Sequence, residues 1–102
     1  MSTVMHIEAE ILLANTHSIE SLLNALPTTD LTHPTVRKLD YSFKPGRHAL
    51  VVCMEISSDN FVKAEEIGMK VLKGIEQFIR TWAEKEDQEL TVEKHGSFLL
   101  SA

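Results

Sequence analysis

From Thr3 to Leu13 apolar and polar positions alternate, with Met5, Ile7, Ala9, Ile11 and Leu13 in one row and His6, Glu8 and Glu10 in the other. A period of two puts one row against a core and the other in water, so the segment predicts a half-buried strand. Asn15 and Thr16 then offer N-cap oxygens, and Ile19, Leu22, Leu23 and Leu26 recur at helical spacing until Pro27. This predicts a short amphipathic helix. Between Pro27 and Pro34, Thr28, Thr29, Asp30, Thr32 and His33 favour local side-chain hydrogen bonds and an irregular loop.

Alternation returns from Val36 to Lys44, with Leu39, Tyr41 and Phe43 opposing Lys38, Asp40 and Ser42, and predicts a second strand. Lys44-Pro45-Gly46-Arg47 suits a type II turn, with Pro presetting φ and Gly accepting a positive φ, so the flanking strands should form a hairpin through a somewhat longer or bulged connection. Residues 49–56 are the most continuously apolar segment, which predicts a central strand. Ser57, Ser58 and Asp59 are then expected to cap a long helix whose stripe is Phe61, Ala64, Ile67, Val71, Ile75, Phe78 and Trp82. Leu90 and Val92 against Thr91, Glu93 and His95 give a last strand, and Gly96 precedes an apolar tail, residues 96–102, that either continues this strand past a bulge or meets a partner subunit.

Strand, helix, strand, strand, helix, strand has a compact solution. It is an α+β fold of ferredoxin-like β-α-β-β-α-β order, a four-stranded antiparallel sheet in order 4-1-3-2 with two helices on one face. With 102 residues, 43% hydrophobic and 25% charged, the chain is expected to form a single domain over residues 1–102. No apolar run approaches the roughly eighteen residues of a membrane span, and the first residues lack a basic then apolar leader, so a cytoplasmic protein is expected.

The other sheet face would then be bare. Val4, Leu12 and Val51, with Cys53 and the tail residues Phe98 and Leu100, supply apolar surface there that predicts a homodimer interface. A formal charge of −5 argues against nucleic acid and anionic membranes as partners, because phosphate binding needs clustered Lys and Arg. RNA readout on such a sheet stacks bases on aromatic residues, and the matching positions hold His6, Glu8, Val51, Cys53 and Glu55.

The sharpest candidate chemistry is His6, Glu8 and Glu10 beside Glu93 and His95, which neighbouring strands could bring together as a ligand-binding or general-base set. The favoured reading of the same residues is a solvated polar face, since exposed His and Glu are common, and no metal is assigned because ligand spacing is missing. His6-Ile7-Glu8 matches the H-x-E half of a zinc-deaminase site, but the lone Cys53 cannot supply the Cys-x-x-Cys half. A single thiol among Val52, Met54 and Glu55 reads as a packing residue rather than a nucleophile. Lys44, Arg47 and His48 form a basic cluster at the hairpin tip that could meet an acidic partner or a carboxylate. Nucleotide-binding and hydrolase glycine motifs do not occur, and no cofactor is implied. The function expected from these residues is a non-enzymatic homodimeric module that binds a small molecule or a protein. The alternative is a small metal-assisted or cofactor-independent enzyme using His6, Glu8 and His95.

Overall fold

The computed structural model describes residues 3–27 and 33–101, with side chains for 4–27 and 33–93. Within them the chain runs β1 (Thr3–Ala14), α1 (Ile19–Ala25), β2 (Val36–Lys44), β3 (Ala49–Ser58), α2 (Phe61–Lys85) and β4 (Thr91–Ser101). All three strand pairings are antiparallel, and the sheet order is β2-β3-β1-β4, which counted from the β4 edge is 4-1-3-2. Most of the loop expected between Pro27 and Pro34 lies outside the described residues.

Period two explains which face is covered. Ile7, Ala9, Ile11 and Leu13 of β1 join Leu50, Val52, Met54 and Ile56 of β3 and Leu39 of β2 in one buried cluster, and Leu22, Leu26, Val71, Leu72, Ile75 and Ile79 of the helical segments complete it. Both helices therefore lie on the same side of the sheet, because one alternating row meets both. The opposite row remains outside this core. The long helix buries Ala64, Gly68, Val71, Leu72, Ile75, Ile79 and Ala83, so its stripe is rotated from the expected one. Ile67, Phe78 and Trp82 are half-buried flanks of it, and Phe61 is 50% exposed.

Local chemistry departs from expectation at three junctions. Gly46 does not take a positive φ: Pro45–Arg47 form a single 3-10 turn and His48 adopts the left-handed conformation, φ 50°. Because Lys44 and Ala49 are the closing pair, four residues make the turn, and the reversal falls on the last of them. Ser57 and Ser58 remain in β3, and Asn60 is the N-cap of α2, accepting from the Lys63 N–H at 2.8 Å. The Ser57 N–H is already donated to the Thr35 carbonyl, which holds that residue in the sheet. Asn15 does not cap α1 either; it is left-handed at φ 59°, its Nδ2 donates to the Glu89 carbonyl at 3.2 Å, and a 3-10 turn over Thr16–Ser18 precedes the helix.

The last strand runs on beyond Gly96 and pairs with β1 as far as Ser101. Its register shifts twice. Leu12 pairs with Lys94 and Leu13 with Val92, leaving Glu93 as an extra residue, and Ile11 pairs with His95 while Ala9 pairs with Phe98. No helix among the described residues is long and apolar enough to cross a membrane.

Candidate functional site

The helix-free face is a grid fixed by the strand registers. Across β1, β3 and β2 its rows are Leu12–Ala49–Lys44, Glu10–Val51–Ser42, Glu8–Cys53–Asp40 and His6–Glu55–Lys38. Directly opposed residues share a face, so each row is a set of side-chain neighbours.

In the last row His6 Nδ1 lies 3.6 Å from Glu55 Oε1, with both side chains well exposed. Lys38 Nζ and Asp40 Oδ2 lie 3.4 Å apart along β2, also in solvent. Pairs of this kind contribute about 0–1 kcal/mol, so they pattern the surface more than they hold the fold. Glu10 differs. It is only 5% exposed although it points away from the helices, and Arg47 Nη2 donates to its Oε2 at 2.5 Å. Val51, the Cα partner of Glu10, is also only 3% exposed on this face. The pairing of Arg47 with Glu10 has no sequence signal, since the two are 37 residues apart and unrelated in period.

Cys53 is exposed in the centre of the acidic row. Burial of the sulfur is the first cause that pushes its thiol pKa up, followed by the carboxylates of Glu8 and Asp40, with Lys44 opposing them. A thiol held protonated in this way is a poor nucleophile.

The five residues singled out as a ligand or general-base set are not brought together. His6 pairs with Glu55 and, by backbone register, with Ser101; Glu8 belongs to the Cys53 row; Glu10 is held by Arg47. His95 is in register with Ile11, five residues along β1 from His6, which is about 17 Å at the rise of a strand. Glu93, the bulge residue, is exposed and lines a cleft of about 310 Å³ with Leu12, Asn15, Arg47 and His48. Among the described residues no three His, Cys, Asp or Glu side chains are grouped to hold a metal ion.

Of the residues expected at a subunit interface, Val4 and Leu12 are half-buried and Cys53 is exposed on the helix-free face, whereas Val51 is covered within the single chain. Phe98 and Leu100 are in register with Ala9 and Ile7, and their side chains lie outside the described residues. No protein-family model, curated protein or solved structure matches the chain.

Proposed function

We propose that this chain is a non-catalytic interaction module, ferredoxin-like in arrangement, that works as a homodimer through the helix-free face of its sheet. One observation carries the reading: across β1, β3 and β2 the helix-free face bears an ordered grid of mostly exposed charges around Cys53, with half-buried Val4 and Leu12. A sheet face of this kind offers backbone rigidity and side chains of fixed spacing, which suits recognition of another surface. The raised thiol pKa of Cys53 supports a packing role for that residue over nucleophilic chemistry. The enzyme alternative needs His6, Glu8 and His95 at one place, and their register positions along β1 give it no support.

The test is a dilution series followed by amide chemical shifts, from about 1 mM to about 10 µM, the range in which small interfaces dissociate. The reading expects shifts at His6, Glu8, Asp40 and Cys53 with α2 unchanged. Shifts confined to the exposed side of α2 would overturn it. Val51→Asp is not a usable probe, because that side chain is buried in the monomer and its replacement would unfold the chain.

A second reading, binding of a small carboxylic acid, is favoured by the cleft of about 310 Å³ beside Arg47 and His48. It expects a series of small carboxylic acids to raise the melting temperature and Arg47→Ala to remove the increase. An unchanged melting temperature across the series removes this reading.

A further inference from the structure

The charges on the helix-free face are arranged by row, and a row pattern can be tested for self-complementarity. The end of the face next to the hairpin is basic, with Lys44 on β2 and Arg47 and His48 in the turn. Two rows away, Glu8 and Asp40 flank Cys53 and make an acidic band. Between them lies the row of Glu10, Val51 and Ser42, in which Glu10 is already paired with Arg47.

Two copies stacked face to face around a two-fold axis have few ways to align such a grid. An axis along the strands lays each row on the same row of the partner, so the acidic band meets itself. An axis across the strands at the Cys53 row does the same. An axis across the strands at the row of Val51 and Ser42 reverses the order: Lys44 of each copy lies over Asp40 of the other, which Lys38 approaches at 3.4 Å within its own chain, and the hairpin turn lies over the partner's row of Glu55 and Lys38. Like charges brought together cost affinity and opposite charges steer and fix register, so electrostatics selects the third arrangement.

We propose that the chain forms an antiparallel face-to-face homodimer centred on the row of Val51 and Ser42, held in register by two symmetric Lys44–Asp40 ion pairs. This rests on the reading of the helix-free face as the interaction surface. With the axis one row in from the hairpin, the faces overlap from the turn to the row of Glu55, about 27 Å along four strands about 4.8 Å apart, which is about 500 Å² per copy or about 1,000 Å² in all, a small interface. The dimer is therefore weak, wet and salt-sensitive, since its register depends on partly solvated charges. The two Cys53 thiols lie two rows apart along the strands, about 13 Å, and on facing sheets about 10 Å apart, too distant for a disulfide.

Charge reversal tests the pairing. Lys44 and Asp40 are exposed on the edge strand β2, so reversing them leaves the core intact. In sedimentation velocity, Lys44→Asp and Asp40→Lys should each raise the dimer Kd by about 10-fold or more, and the double swap should restore it to within about 3-fold. Mild oxidation should yield no disulfide-linked dimer. A chain that remains monomeric at about 1 mM overturns the proposal. So does a dimer insensitive to either reversal, or one that cross-links readily through Cys53. If association still maps to the helix-free face while ignoring the charge swap, this register is wrong and the functional reading stands. If it maps to α2, both fall.

Discussion

Glu10 shows how one residue can belong to the polar row of a strand and still be buried. Its backbone places the carboxylate on the helix-free face, but the Arg47 side chain crosses from the turn and covers it. A carboxylate at 5% exposure has lost most of its hydration and relies on the charge-assisted bond from Arg47, which water replaces only in part once that side chain is removed. Arg47 is itself 62% exposed in its side chain, which moderates the effect. Arg47→Ala should lower unfolding stability by about 1–3 kcal/mol, and combining it with Glu10→Leu should recover most of the loss; denaturant midpoints decide this. An unchanged midpoint in Arg47→Ala would show that the pair is ornamental. Cys53 makes a second residue-scale prediction. Its thiol pKa is raised by burial and by Glu8 and Asp40, so at a given pH less thiolate is present than on a free cysteine. Alkylation should therefore be slow near neutral pH, should climb only as pH passes above the ordinary thiol value, and should quicken in Asp40→Asn. A rate equal to that of a free thiol in the native protein would contradict it.

At the scale of elements, α1 and α2 are held differently. The long helix has a side-chain cap at Asn60 and seven buried residues, whereas α1 is seven residues long with only Leu22 buried inside it and no side-chain cap. Two turns are too short for a helix to persist without packing, so α1 exists because Leu22 and Leu26 enter the common core. Gly74 is the weak point of α2. It is exposed, and a Cβ built there meets nothing within 4 Å. Gly74→Ala should therefore raise stability by about 0.5–1 kcal/mol through reduced backbone entropy in the unfolded chain, read as a higher melting temperature. A lower melting temperature would mean that this part of α2 needs the freedom of glycine. The strand periods were legible in advance because alternation is a local property. The stripe of α2 was only partly legible: a helix of 25 residues offers several apolar lines, and Leu72 and Ile79 were selected by where the sheet lies.

Across the whole molecule, one apolar cluster draws on β1, β2, β3 and both helices. Such a core should melt as a unit, so far-ultraviolet and near-ultraviolet circular dichroism should give coincident transitions, and Leu22→Ala should shift both together. An early, separate loss of helical signal would show that α1 is not part of the cooperative unit. The sequence by itself determined the elements and the core-facing row of the first three strands, because a period of two or 3.6 is written in neighbouring residues and the hydrophobic effect acts on each segment alike. It also placed the candidate residues on their strands. Only the tertiary structure decided which of them meet: the extra residue at Glu93 sets His95 in register with Ile11, and the turn at Pro45–Arg47 aims Arg47 at Glu10. Register and side-chain reach depend on contacts between segments far apart in the chain, and a local pattern carries no record of them.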